Sequence, residues 1–375
     1  MKPMIIFLSL FYSSLILASV PVPAPPGIAA TSYIREDFNS GKILVARKAD
    51  EKIEHASITK LMTAYVVFME IKAGNIQLSD KVQVSKKAWK TKGSKMFIEV
   101  DKFVSVENLL KGMIIQSGND ASVALAEHIA GNEAAFSQLM NRHAKKIGMN
   151  SSHFSNSTGL PSDNHYTTAR DIAKVSKLLI KDFPEYYAWY STRKFTFNKI
   201  TQFNRNKLLW KDDSVDGLKT GYTSSAGYCL VTSAKRDGMR LISVVMGTKS
   251  KKARTKESQT LINYGFRYFQ THKLYDANQT LHQIRVWKGK QQQLNLGIQQ
   301  TLFLTIPKKQ YKNLKAWMEI DKNIIAPVAI NTKVGSVVIE LSNEKIAEIP
   351  LLSLQEISKG DLWDQLLDEI KMKLQ

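Results

Sequence analysis

A serine and a lysine stand three residues apart in the stretch HASITKLMTAYVVF, His55 to Phe68, at the mouth of a long apolar run. At i and i+3 of a helix, Ser57 and Lys60 share one face. A serine hydroxyl is a poor nucleophile until a base takes its proton. A lysine amine can be that base only if its pKa falls from about 10.4 to near neutrality, a shift of roughly three units or on the order of 4 kcal/mol. Desolvation and a second nearby cation both push that way. The apolar run after Lys60 supplies the first. Lysine is among the residues least often buried, so the placement asks for such a reason.

The second cation is expected from Lys219, in VDGLKTGYTSSAGY. Lys219-Thr220-Gly221 ends a strand-like segment, and Gly221 is expected to leave room for a substrate backbone to lie along that strand as an added edge. Between the two stretches comes Ser117-Gly118-Asn119, in the polar break QSGND that separates two helical segments. It offers a hydroxyl for proton relay and an amide for a substrate carbonyl.

S-x-x-K, S-x-N and K-T-G, in that order, resemble the three motifs of penicillin-binding proteins and serine β-lactamases. Each is weak alone; together they are specific. The stretches NSGKILVARKADEKIEHASITKLMT, QSGNDASVALAEHIAG, NRNKLLWKDDSVDGLKTGYT and GMRLISVVMG are similar to the low-molecular-mass D-alanyl-D-alanine carboxypeptidases. The resemblance covers nearly the whole chain. It implies an α+β fold: a penicillin-binding/β-lactamase-like catalytic domain, with an antiparallel sheet flanked by helices, then a small all-β domain and a C-terminal amphipathic helix.

The same resemblance assigns roles. Ser57 would be the acylated nucleophile, Lys60 its general base, and Ser117 and Asn119 the relay and a substrate contact. Lys219, Thr220 and Gly221 would form the substrate-side strand. The backbone N–H groups of Ser57 and Tyr222 would make the oxyanion hole, a donor pair that stabilises a tetrahedral intermediate. Arg254 would read the substrate's terminal carboxylate, and Arg205 matches a second arginine below the same strand. The residue after K-T-G is often histidine in close relatives, and here it is Tyr222. The implied partners are peptidoglycan stem peptides, with β-lactam antibiotics as covalent inhibitors. No cofactor is expected, and no spacing of histidine, cysteine or carboxylates suggests a metal site. His55 and His128 read as packing or capping residues.

Three other activities use similar parts. A serine β-lactamase of the common class deacylates through a glutamate between the second and third motifs; SNSTGLPSDNHYTTARD holds none, only Asp163 and Asp171. Endopeptidase or transpeptidase action on crosslinks would use the same residues. A wall-binding protein without catalysis is at odds with the intact triplet.

The elements that must position these groups can be read in outline. TSYIREDFNSGKILVARK gives a hairpin turning at Asn39-Ser40-Gly41. Asp237-Gly238 joins two alternating strands, a strong two-residue hairpin signal. A closing helix is expected over 255–269. From about 275 the runs HQIRVW, TLFLTIP, KAWMEI and GSVVIEL recur between turn formers, the pattern of an all-β unit. In the tail, Leu362, Trp363, Leu366, Leu367, Ile370 and Leu374 fall in one sector of a helical wheel, which suits a membrane interface or packing onto the β domain. The expected division is a signal peptide over 1–24, a catalytic domain over 28–272, a β domain over 275–357 and the tail helix over 359–375.

Export follows from the N-terminus, where one lysine, an apolar stretch and small residues precede PVPAPPG. The protein is then expected on the outer, periplasmic face of the cytoplasmic membrane. A chain of 375 residues with 43% hydrophobic and 23% charged residues folds as more than one domain. With one cysteine, Cys229, there is no internal disulfide. Cys229 stands in AGYCLVTSA and reads as a small core residue. The net charge of +20 comes from scattered lysines without an arginine-rich tract, so nucleic acid is not the expected partner; an anionic wall or membrane polymer is one reading of the charge and a basic surface kept for solubility is the other.

Overall fold

The computed structural model describes residues 22–321 and 323–374. The expected signal peptide lies, up to residue 21, outside the described residues. In chain order the N-terminal unit comprises β1 (Ser32–Asp37), β2 (Ile43–Arg47), α1 (Lys60–Lys72), β3 (Lys81–Gln83), α2 (Lys86–Lys90), β4 (Phe103–Ser105) and α3 (Val106–Lys111). It continues through α4 (Asn119–Ala130), α5 (Glu133–Lys146), α6 (Ala169–Asp182), α7 (Pro184–Tyr187), β5 (Lys194–Phe197) and β6 (Ile200–Phe203). It ends with β7 (Val215–Thr223), β8 (Gly227–Arg236), β9 (Met239–Thr248) and α8 (Lys251–Tyr268).

Its main sheet is antiparallel in the order β2-β1-β9-β8-β7. The β8–β9 turn falls at Asp237-Gly238 and the β1–β2 turn at Asn39–Gly41, as the turn residues predict. Alternation along a strand sends side chains to both faces. On β1, Ile34 joins the core shared with α1, α4 and α6, while Tyr33 joins the core under α8. The unit is therefore three layers, helix–sheet–helix, with β7 left as an edge strand. Every residue of α1 from Lys60 to Phe68 is buried. A helix apolar all round is an interior helix, which is why its first residue is out of water.

The C-terminal unit starts with β10 (Phe269–Tyr275) and continues through β11 (His282–Arg285), β12 (Gln293–Gly297), β13 (Leu302–Pro307), β14 (Leu314–Ile320), β15 (Lys333–Leu341) and β16 (Glu344–Ser353). Its sheet runs β11-β12-β16-β15-β14, beside the β10–β13 pair. Each expected strand run is present. Polar groups join the two units: Thr271 Oγ1 donates to Asp37 Oδ2 at 2.7 Å, and Ser40 and Thr305 hydroxyls meet at 2.6 Å.

Two boundaries differ from the sequence expectation. The closing helix begins at Lys251, because Ser250 caps it by accepting from the Ala253 N–H at 3.0 Å. The polar break narrows to Ser117-Gly118, since Asn119 and Asp120 already belong to α4.

The tail forms α9 (Leu362–Lys373). It docks by its polar edge: Asp368 accepts from Arg285 Nη2 at 2.8 Å and from the Lys288 N–H at 2.7 Å. Its apolar sector faces outward, with Leu362 84% and Trp363 73% exposed. Among the described residues no helix is long and apolar enough to cross a membrane.

Candidate active site

Ser57 stands in a 3₁₀ turn, Ala56–Thr59, that runs into α1 at Lys60. In a 3₁₀ turn residues i and i+3 eclipse, so the two side chains meet as the spacing predicts. Ala56 enters the turn at φ +47°, uncommon for a residue with a Cβ. Two glycines pack closely against the turn. A Cβ on Gly159, itself at φ +83°, would lie 1.9 Å from the Ala56 carbonyl oxygen. One on Gly221 would lie 3.1 Å from both the His55 carbonyl oxygen and Ile58. The bare Cα of Gly221 thus admits the turn that carries Ser57, a different reason for glycine from the substrate space expected from the sequence.

Lys60 Nζ, on a residue 1% exposed, lies 3.2 Å from Ser57 Oγ, 2.6 Å from Asn119 Oδ1 and 2.5 Å from the Thr158 carbonyl oxygen. A neutral amine has two N–H donors and one lone pair. The two fixed oxygens take the donors, leaving the lone pair for the Ser57 hydroxyl. Burial, and next the Arg205 charge, bring Lys60 down to about 7, while Asp120 and Glu133 pull upward. Arg205 is one cation that depresses Lys60. Lys60 and Lys219 also repel each other, and Lys219 is held well below its ordinary range, by burial first and then by Lys60, Arg205 and Arg254.

Ser117 follows a π-turn, Gly112–Gln116, and adopts φ +71°. Such single-turn interruptions cluster at functional sites. Here the turn delivers Ser117 Oγ to Lys219 Nζ at 2.8 Å. Asn119 gives one amide N–H to the Lys92 carbonyl at 2.7 Å and its oxygen to Lys60, so one N–H is left for a ligand.

These groups open on a cleft of about 450 Å³ lined by Ser57, Ser117, Asn119, Thr220, Arg205 and Arg254, among others. Arg254 is 7% exposed and donates to the Gly221 carbonyl at 3.0 Å, which fixes it behind β7. Tyr222 stacks on Tyr228 with centroids 4.1 Å apart, half its surface in solvent. No carboxylate lines the cleft among the described residues. Asp171 is spent on the Ser151 N–H and the Ser152 hydroxyl. His55 is packed between Phe154 and His165, with Nδ1 2.6 Å from Thr59 Oγ1. Cys229 is a buried core thiol.

Three contributors had no motif to announce them. The Thr158 carbonyl is a backbone group. Asp120 fastens the cleft wall by accepting from the Met96 and Phe97 N–H groups, each at 3.0 Å. Gly159 carries a turn signal that the sequence text places in a loop only.

The comparisons with known proteins agree with this geometry. Residues 19–250 match the D-alanyl-D-alanine carboxypeptidase family, and residues 269–359 match the penicillin-binding protein 5 C-terminal domain. The chain is 43% identical to the D-alanyl-D-alanine carboxypeptidase DacC of Escherichia coli, over 98% of this chain and 94% of that protein. The crystal structure of penicillin-binding protein 5 from Haemophilus influenzae aligns with a TM-score of 0.87 at 43% identity, covering 90% of this chain and all of that one. Penicillin-binding protein 6B from Escherichia coli aligns at 0.75 with 36% identity, over 88% and 96% of the two chains. By sequence and by fold, this chain belongs to the D-alanyl-D-alanine carboxypeptidase family.

Proposed function

We propose that this serine D-alanyl-D-alanine carboxypeptidase acts through an acyl-enzyme on Ser57 and removes the terminal D-alanine from peptidoglycan pentapeptide stems. The observation that carries the reading is the contact of Lys60 Nζ with Ser57 Oγ while Asn119 Oδ1 and the Thr158 carbonyl hold the amine in place. Neutral Lys60 takes the serine proton as Ser57 Oγ attacks the penultimate carbonyl. The backbone N–H groups of Ser57 and Tyr222 receive the oxyanion. Lys219 donates to Ser117 Oγ, which leaves the Ser117 O–H free to pass a proton to the departing amine. Arg254 and Thr220, beside Lys219, meet the carboxylate of the leaving D-alanine, and Arg205 adds positive potential at the lip. Water then cleaves the ester.

A β-lactam offers the same attacked carbonyl and a carboxylate, so penicillin is read as a covalent inhibitor at Ser57. A relative that aligns over 65% of this chain, penicillin-binding protein D2 of Listeria monocytogenes, has been solved in an ampicillin-bound form. The carboxylate-free cleft favours a slow adduct over β-lactamase turnover. The outward apolar sector of α9 supports a membrane surface as its partner, with the protein exported to the periplasmic face. The division into a catalytic domain over 28–272, a β domain over 275–357 and a tail over 359–375 is kept with this reading.

The test is incubation with a fluorescent penicillin, alongside Ser57→Ala and an assay of D-alanine release. The expected result is a covalent adduct and D-alanine from the parent and neither from the variant. Folded parent protein that takes up no label would overturn the acyl-enzyme.

A further inference from the structure

One of the two oxygens that hold Lys60 Nζ is the Thr158 carbonyl, in the segment between α5 and α6. No helix or strand ladder fixes that peptide, so its carbonyl keeps one direction only if side chains hold it. Here a single side chain does. Asn156 Oδ1 accepts from the Thr158 N–H at 3.1 Å, the Thr158 hydroxyl at 3.0 Å and the Gly159 N–H at 2.7 Å. Asn156 Nδ2 donates to the Leu160 carbonyl at 2.9 Å. These partners settle the carboxamide's orientation, because a flipped amide would set N–H groups against three donors.

The Thr158–Gly159 peptide is trans, so its N–H and its C=O point in opposite directions. Asn156 holds the N–H end, and the carbonyl end is thereby aimed at Lys60. Gly159 also packs its bare Cα against the Ala56 carbonyl, in the turn that carries Ser57. One amide oxygen thus sets both the base and the support of the nucleophile. Ser157 is fastened independently: its N–H and hydroxyl donate to Glu133 Oε1 at 3.2 and 2.8 Å, and its carbonyl accepts from Thr63 Oγ1 at 2.7 Å. Asn156 does not line the cleft. It borders a separate hollow of about 460 Å³, with Leu160 forming the wall shared by the two spaces. Water in that hollow can take up the freed N–H groups if the carboxamide is removed, so the segment is not left with dry donors.

We propose that Asn156 is a positioning residue for the Ser57–Lys60 pair, acting through the Thr158–Gly159 peptide. This rests on the roles given above to Ser57 and Lys60. With the peptide held, the Thr158 carbonyl takes one N–H of the neutral amine and keeps its lone pair on Ser57 Oγ. With the peptide released, the amine turns freely and the lone pair is less often in line. A carbonyl also favours the charged form of the amine that donates to it, so its withdrawal makes Lys60 easier to deprotonate.

The experiment uses the full chain, Asn156→Ala and Asn156→Asp. Penicillin acylation is followed across the ascending limb near pH 7, and D-alanine release from a pentapeptide stem gives kcat and KM. Asn156→Ala loses the accepting oxygen. Its plateau rate and kcat should fall about 10- to 100-fold with KM within about twofold, as for a misplaced reacting pair. Its limb should move to lower pH by about half a pH unit. Asn156→Asp keeps the oxygen and adds a negative charge that favours protonated Lys60. Its plateau should stay within about threefold of the parent while its limb moves to higher pH. A merely structural asparagine would not give opposite shifts together with rescue by the variant that keeps the oxygen. A folded Asn156→Ala with the parent's plateau overturns the assignment, and so does a lowered plateau with an unmoved limb. If Asn156→Ala does not fold, Asn156→Asp decides: a plateau more than about tenfold below the parent's overturns it. Each of these leaves the acyl-enzyme standing, whereas a parent that takes up no penicillin sinks both readings.

Discussion

Lys219 Nζ lies 2.8 Å from Ser117 Oγ, tying the edge strand β7 to the break between α3 and α4 across 102 residues of sequence. The bond closes the cleft and fixes the Ser117 hydroxyl beside the Lys219 amine. Ser117→Ala should leave the fold intact and reduce acylation by about 10²- to 10⁴-fold, the range for a positioned proton-transfer group. Stopped-flow acylation by penicillin, with circular dichroism as the control for folding, measures it. A change below about threefold would remove Ser117 from the proton path.

Acylation should rise with pH through about 7 and then level off, because Lys60 becomes a base only on losing its proton. The midpoint can be moved in both directions. Arg205→Ala removes a charge that disfavours protonated Lys60, so its pKa rises and the ascending limb shifts to higher pH. Asp120→Asn removes a charge that favours it, and the limb shifts to lower pH. Rate profiles of penicillin acylation for the three proteins check the signs. A shared midpoint would mean that the limb belongs to another group.

The two glycines around the Ser57 turn should separate by severity. Gly159→Ala puts a Cβ on the Ala56 carbonyl at a positive φ, and is expected to cost on the order of 2 kcal/mol or more of stability. At Gly221 the nearest atoms are 3.1 Å away and part of the clash falls on the flexible Ile58 side chain. Gly221→Ala should therefore keep most of the stability while pushing the nucleophile out of register. Urea melts paired with acylation rates distinguish the two; equal melts would remove the contrast.

The chain's text announces some of this site and conceals the rest, for physical reasons. Ser57, Lys60, Ser117, Lys219 and the Asp237-Gly238 hairpin are legible because their meaning lies in residue type and short spacing. The Thr158 carbonyl is not, since every residue has a carbonyl and only the fold selects this one, 98 positions from Lys60. Asp120 stands one residue after a recognised motif, yet its bonds to the Met96 and Phe97 amides exist only once the cleft wall has folded back. Arg205 shows the converse. Its position was legible and its effect on Lys60 was not, because the field of a charge depends on what is buried around it rather than on sequence neighbours.

The tail helix offers a further check. α9 is held by Asp368, which is 4% exposed and bonded to Arg285 and the Lys288 N–H. Asp368→Ala should free the helix from the β domain without touching the cleft. Hydrogen exchange in residues 362–373 should become faster, while D-alanine release stays unchanged. Undiminished protection would place the anchor elsewhere.

The single thiol has a consequence for the life of the molecule. Cys229 is fully buried on β8, and burial pushes its pKa up to about 11. The thiolate is the species that oxidants and foreign disulfides attack, and here it is both scarce and out of reach. The folded chain therefore keeps one covalent form in oxidising and reducing surroundings alike. With one cysteine it has no internal disulfide to make or shuffle, and once folded it offers an oxidant no accessible thiol.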